Sequence, residues 1–234
     1  MKKILLGFIA IGLLTFVGCG TSSSVEYGEG VTDFKGNTYK SVKIGKQEWM
    51  AENLNVNHFK NGEIIPEAQT EEEWLKAGKK KEPAWCYYDN NQANGQKYGK
   101  LYNFYAVSDT RGLAPTGWHV PSDSDWNVLK EEGVFSNENI NVEAGTALKA
   151  KSGWNYSYLQ SGNGTDYYGW KGLPGGFRRS DGDLGGIGSD GIWWSYSQVS
   201  ALDSWTRRLT CADYKVVRRS FSNECGFSVR CIKD

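Results

Sequence analysis

Residues 169–195 read GWKGLPGGFRRSDGDLGGIGSDGIWWS, and nine of these 27 positions are glycine. Trp170 stands at one end and Trp193 and Trp194 at the other. Glycine at this density lets the backbone enter left-handed turns and approach neighbouring segments closely. Tryptophan is a large apolar body whose indole N–H needs an acceptor once buried. The stretch therefore reads as an irregular, glycine-turned segment folded over an aromatic core, and not as a helix. Inside it, Gly186-Ile187-Gly188-Ser189-Asp190-Gly191 matches G-x-G-x-x-G, a dinucleotide fingerprint that must follow a strand and open a helix. Here it leads into the strand-like Ile192-Trp193-Trp194-Ser195, so no nucleotide site is assigned. Asp181, Asp183 and Asp190 offer the paired carboxylates of a glycosidase. Aspartates in glycine-rich loops more often hydrogen-bond their own turns, and that is the preferred reading. The stretch acts as a scaffold that holds the C-terminal strands in place.

The tail from Ser204 to Asp234 is strand-like. Trp205, Arg207, Leu209 and Cys211 share one parity, and Cys225, Phe227, Val229 and Cys231 form a second such run. Period-two spacing of this kind means paired, half-buried strands. The solvent face around Tyr196, Gln198, Trp205, Arg207, Arg208, Asp213, Tyr214, Lys215, Arg218 and Arg219 is the candidate binding surface. Aromatic rings with a local excess of arginine suit sugars, acidic polysaccharides or a protein partner. The competing reading makes Trp205 core and the arginines mere solubilisers of an edge strand.

Upstream, Trp154, Tyr156 and Tyr158 alternate as in a strand. Ser122 as N-cap with Asp125 as its box partner predicts a helix over 122–133, with Trp126 and Leu129 pointing inward and Gly133 ending it. Leu101, Tyr105 and Ser108 on one face predict a short helix over 101–108. Thr70 and Glu73 form a capping box for a helix carrying Trp74 and Leu75. Thr38–Val42 and Gln47–Met50 read as a hairpin turning at Gly45-Lys46. His119, between a tryptophan and a valine, reads as a buried structural residue rather than a general base. Asp89-Asn90-Asn91 lacks the spacing of a calcium loop and reads as a turn.

At the N-terminus Lys2 and Lys3 precede the apolar run Ile4–Val17, which is shorter than the roughly 20 residues of a membrane span. The run ends in Phe16-Val17-Gly18-Cys19 and resembles a bacterial lipobox. The expected organisation is a signal peptide at 1–18, a lipid-bearing Cys19 opening a flexible tether at 19–30, and one domain at 31–234. Without Lys2 and Lys3 the chain carries 25 basic against 27 acidic residues, which is no electrostatic footprint for nucleic acid. An aromatic content of 14% with 29 glycines argues for a β-rich, turn-rich fold. Cys86, Cys211, Cys225 and Cys231 remain as an even set, and beyond the inner membrane they suggest two disulfides with three possible connectivities. With no C-x-x-C pair and two histidines, no metal site is assigned.

Six blocks, in order, resemble the Fibrobacter succinogenes major paralogous domain. They are DFKGNTYKSVKIGKQEWMAENL (33–54), YGKLYNFYAV (98–107), GLAPTGWHVPSDSDWNVL (112–129), LPGGFR (173–178), GIWWS (191–195) and GFSVRCIKD (226–234). The resemblance implies an α+β, C-type lectin-like fold related to that of formylglycine-generating enzymes. Such a fold has two short helices, a small antiparallel sheet joining the termini, and a long Gly/Trp-rich irregular region. It pairs Cys86 with Cys231 and leaves Cys211 with Cys225. The Glu-Pro-Asn, Gln-Pro-Asp and Trp-Asn-Asp motifs of calcium-dependent lectins do not occur, and no oxidase role is expected of the cysteines. The expectation is a lipoprotein of the cell envelope, in the outer membrane. It presents a non-catalytic binding module, without cofactor, to an extracellular polysaccharide or a protein. Its rivals are a carbohydrate-active or redox enzyme using loop carboxylates or cysteine, and a structural envelope protein with no small ligand.

Overall fold

The computed structural model describes residues 25–132, 135–137, 140–158 and 160–234. The expected signal peptide, Cys19 and the Gly133 helix end lie outside them. The strands that position the site are β1 (Ser41–Ile44), β2 (Gln47–Met50), β3 (Trp118–His119), β4 (Gly175–Arg178), β5 (Leu184–Ile187), β6 (Asp190–Gln198), β7 (Asp203–Thr210), β8 (Val217–Ser222) and β9 (Ile232–Lys233). The α-helices among the described residues are α1 (Glu71–Lys80), α2 (Gln92–Tyr98), α3 (Phe104–Val107), α4 (Asp123–Glu132) and α5 (Ala144–Leu148).

Gly45, at φ 59°, turns β1 into β2, and the two pair antiparallel from Ser41↔Met50 to Ile44↔Gln47. The C-terminal β9 then slots between β2 and β3, pairing Ile232 with Trp49 on one side and with His119 on the other. The two ends of the domain thus share one four-stranded sheet, in the order β1-β2-β9-β3. Residues 25–30, assigned to the tether from sequence, are packed along β1. Tyr27 bridges Val42, and Gly28 N–H donates to Ser41 O at 3.0 Å. Val25 packs against the same apolar cluster as Val42 and Trp170.

The glycine-rich stretch is sheet, which corrects the expected irregular region. β4, β5 and β6 all come from it, and with β7 and β8 they make a five-stranded sheet in the order β5-β4-β6-β7-β8. The G-x-G-x-x-G motif is the turn between β5 and β6, closed by Ser189 N–H on Gly186 O at 2.9 Å. Period-two alternation sends neighbouring side chains of β6 to opposite faces. Trp193 therefore joins Trp49, Trp126 and Trp170 in one apolar cluster, while Trp194 joins Phe104 and Phe227 in another. Both rings are almost wholly buried, so β6 is a wall with core on each side. Gly191 permits the wall to form, because a Cβ there would sit 2.5 Å from the Trp193 ring and 2.6 Å from Leu173 O. Each indole finds an acceptor: Trp193 Nε1 donates to Asn53 Oδ1 and Trp194 Nε1 to Tyr102 O, both at 2.8 Å.

Both expected capping boxes form. Thr70 Oγ1 accepts from Glu73 N at 3.1 Å while Glu73 Oε2 accepts from Thr70 N at 3.0 Å. Ser122 and Asp125 reciprocate at 3.2 and 2.8 Å. Five helices stand where the resemblance implies two, and the 101–108 helix is shortened. Leu101–Tyr102 pairs with Trp85–Cys86 as a strand, and Asn103 Oδ1 caps α3 by accepting from Ala106 N at 3.0 Å. The alternation of Trp154 and Tyr156 does not define one buried face, since Trp154 is buried and Tyr156 exposed.

Candidate functional site

The ten residues of the sequence-derived surface do not converge. Tyr196 and Gln198 lie where β6 meets the start of β7, near the Gln198↔Ser204 pair. Asp213, Tyr214 and Lys215 lie in the loop after β7, beyond the Asp190↔Thr210 pair, about 20 Å away at the rise of a strand. Between them, Arg218 stacks on Trp205 at 3.2 Å, Arg219 is exposed, and Arg208 pairs with Asp190 at 2.7 Å. Arg207 is a correction. It is 1% exposed, with Nη1 on Asp123 Oδ1 at 2.8 Å and Nη2 on Asn127 Oδ1 at 2.8 Å. Helix α4 covers that face of β7 and supplies both partners, so Arg207 holds the helix to the sheet.

The expected disulfides are also corrected, for all four cysteines are free. Cys211 follows the end of β7 and Cys225 the end of β8, at opposite ends of one antiparallel pair. At about 3.3 Å per residue that separation far exceeds the 7 Å between Cα atoms that a bridge tolerates. Cys86 packs in a cluster with Trp74 and Leu101, and Cys231 in another with Tyr39 and Tyr102. Burial raises the Cys86 and Cys225 thiols to about 11, and pushes Cys231 higher still.

Asp181 does form a turn, accepting from Asp183 N at 3.2 Å, whereas Asp190 is the partner of Arg208. His119 is half-exposed and bridges two carboxylates, Asp234 at 2.8 Å and Asp125 at 3.4 Å. The nearby Ser122 hydroxyl donates to Asp125 at 2.6 Å rather than to His119. That order caps α4 and turns the Ser122 hydroxyl away from His119.

The arrangement that does converge is a cleft of about 570 Å³ where the segment after β2, helix α2, and the residues leading into β4 and β9 meet. Its floor is Asn53, Asn55, Lys100 and Arg230, with Tyr39 and Tyr87 in its walls. Main-chain bonds from Met50 N to Cys231 O (3.0 Å) and from Leu54 N to Val229 O (2.8 Å) clamp the β2 exit onto the C-terminal strand. They fix Asn53 beside Arg230. Asn53 Oδ1 accepts from Arg230 Nη2 at 2.6 Å, Arg230 Nε at 3.1 Å and Trp193 Nε1, while its Nδ2 donates to Tyr98 O at 2.8 Å. Arg230 also donates to Trp170 O and lies 3.9 Å over the Trp170 ring. Lys100 Nζ donates to Asn55 O (2.9 Å), Asn55 Oδ1 (2.7 Å) and Tyr87 OH (2.9 Å), and faces the Trp85 ring at 4.3 Å.

Both cations are buried, at 3% exposure for Lys100 and 1% for Arg230. Burial pushes the Lys100 ammonium down to about 8, against the weaker pull of Glu67 and Asp33. The same desolvation lowers Arg230, opposed by Asp166 and Glu52. Sequence reading passed over both. The available signal was a lone cation in an aromatic or apolar run, in YGKLYNF and in GFSVRCI.

Fold and cleft together define a mixed α+β domain with a polar, cation-floored recess at the junction of its two ends. Residues 42–233 match the Fibrobacter succinogenes major domain, and the chain belongs to that family. Comparison with curated proteins and with solved structures gives no match.

Proposed function

We propose that this protein is a lipid-anchored component of the cell envelope, held by Cys19 in the outer membrane, whose C-type lectin-like domain binds a saccharide without transforming it. The sheet joining both ends of the domain supports the lectin-like reading. The observation that carries the binding role is the make-up of the cleft. Amide, phenol and cationic groups line it together with one carboxylate, Glu52, and its lining includes no cysteine or histidine. Paired carboxylates are what a glycosidase brings to a sugar, and a lone one on the wall does not serve that chemistry. Amides and phenols are what hold hydroxyl groups in a concave site of this size.

The test is a glycan array probed with the full chain in detergent, with and without calcium. Saturable binding is expected, and it is expected to vanish in Gln96→Trp, which adds a bulky ring to an exposed residue of the cleft wall on α2. Binding retained in that variant moves the site to the Trp205–Arg218 face. An array without signal overturns the saccharide reading.

A further inference from the structure

The cleft gathers like charge. Lys100 and Arg230 lie in its floor and Lys97 and Lys171 line it as exposed residues, against the single carboxylate of Glu52. Among the described residues, none of the four cations has an ion-pair partner. Elsewhere the same domain answers an arginine with a carboxylate: Asp123 reaches the buried Arg207 at 2.8 Å, and Asp190 reaches Arg208 at 2.7 Å. The buried Arg178 instead directs its donors to the three carbonyl oxygens of Gly182, Ala68 and Thr70. In the cleft the acceptors are all neutral, and two desolvated cations converge on one open space. Taking a charge out of water without a counter-charge costs several kilocalories per mole unless something repays it. Among the described residues, one N–H of Arg230 Nη1 is left over after its bonds to Asn53, Trp170 and Lys171 are counted. Lys171 holds a left-handed backbone at φ 51°, a strained conformation for a residue with a side chain and one that clusters at ligand-holding positions.

We propose that the ligand of this cleft is anionic, a carboxylate- or sulfate-bearing saccharide whose charged group takes the remaining N–H of Arg230 and sits in the field of Lys100, whose own three N–H groups are given to Asn55 and Tyr87. This rests on the saccharide-binding reading above and names the class of sugar. Charge-assisted hydrogen bonds to an anion are roughly twice as strong as neutral ones, and low-dielectric walls strengthen them further. A recess with four cations also draws anions in, so association slows as salt rises.

Titration calorimetry of the full chain in detergent tests this with four probes: oligogalacturonate, its methyl ester, a sulfated neutral oligosaccharide, and sodium sulfate. Oligogalacturonate or the sulfated sugar is expected to bind, with the methyl ester at least about tenfold weaker than the acid or silent. Substituting Lys97→Gln and Lys171→Gln, both exposed, is expected to weaken the acidic sugar several-fold. Equal affinity for acid and ester overturns the anionic assignment while leaving the saccharide reading standing. Sodium sulfate binding as tightly as either charged sugar keeps the anion seat and overturns the saccharide reading. Silence from all four probes overturns both.

Discussion

Replacing Asp123 with Asn strands a buried guanidinium. Asp123 opens α4, and its carboxylate takes Arg207 Nη1 at 2.8 Å and Arg218 Nε at 2.9 Å. The Arg207 side chain is 2% exposed, that of Asp123 22% and that of Arg218 43%. Removing one partner of a buried pair costs about 3–5 kcal/mol, because the remaining charge stays desolvated. Partial exposure of Asp123, and the bonds Arg207 keeps to Asn127 and Thr206 O, place this case near 3 kcal/mol. For a domain of this size that is a fall in Tm of about 6–12 °C. Circular dichroism melts of Asp123→Asn measure it. The second variant is Asp123→Asn with Arg207→Met, which removes the stranded charge while keeping a long apolar stem, and it is expected to regain at least half the loss. The carboxyl also titrates. Burial alone raises it, but hydrogen bonds from Arg218 and Arg207 prevail and hold it below the ordinary carboxylate range. A depressed acid stabilises the fold above its unfolded pKa and loses that contribution as pH falls through the folded value. The gap between parent and Asp123→Asn is therefore expected to be constant from pH 5 to 7 and to close below about pH 4. A single variant melting within 2 °C of the parent, or a double variant melting lower than the single, refutes the reasoning.

Three other outcomes follow from the geometry. Gly191→Ala forces a Cβ to 2.6 Å from the Leu173 carbonyl, where backbone must shift, and is expected to cost at least about 2 kcal/mol in urea denaturation; a midpoint equal to the parent's removes the close-approach argument. Without reductant, the Cys86, Cys211, Cys225 and Cys231 positions are expected to give four titratable thiols in denaturant and at most one, the part-exposed Cys211, in the native protein; non-reduced peptide mapping that recovers a cystine peptide contradicts this. Affinity for an acidic sugar is expected to fall as pH rises through about 8, as Lys100 loses its proton beside Asn55, Tyr87 and the cations Lys97, Lys171 and Arg230, with Glu52, Glu67 and Asp33 opposing the loss. The unliganded fold should show the opposite trend over the same range. Lys100 is about 10.5 unfolded and about 8 folded, so the unfolded chain binds more protons between those values and stability rises with pH there. A flat binding profile from pH 6 to 9 would falsify the role of Lys100.

Local chemistry was legible in the sequence, and long-range partnership was not. Thr70–Glu73 and Ser122–Asp125 announce their helices because a capping box closes within four residues. The hairpin around Gly45 and the burial of Trp170, Trp193 and Trp194 follow from residue type alone. The 101–108 pattern misled because Leu101 and Tyr105 satisfy a helical period, whereas Leu101 pairs with Cys86 across a connection that contains helix α2, which the period cannot see. Arg207 shares its parity with the buried Leu209 and the part-exposed Trp205, and what covers its guanidinium is a helix whose Asp123 lies 84 positions earlier. The cleft is the extreme instance. Its two floor cations stand 130 residues apart and meet because β9 closes against β2. The glycine-rich stretch misled in another way: its turns are real, but glycine also lets β4 and β6 lie side by side, with Gly176 opposite Gly191.

The position of β9 sets an order of events for the folding of the sheet. β2 and β3 are more than 60 residues apart, and β9 joins them by pairing with each. The hairpin of β1 and β2 closes locally, whereas its inner edge pairs only with the distant β9. Contacts this distant in sequence make for slow closure. Until that final strand docks, Arg230 lacks Asn53 and the recess has half its floor. The cleft is therefore completed in the same step that completes the four-stranded sheet.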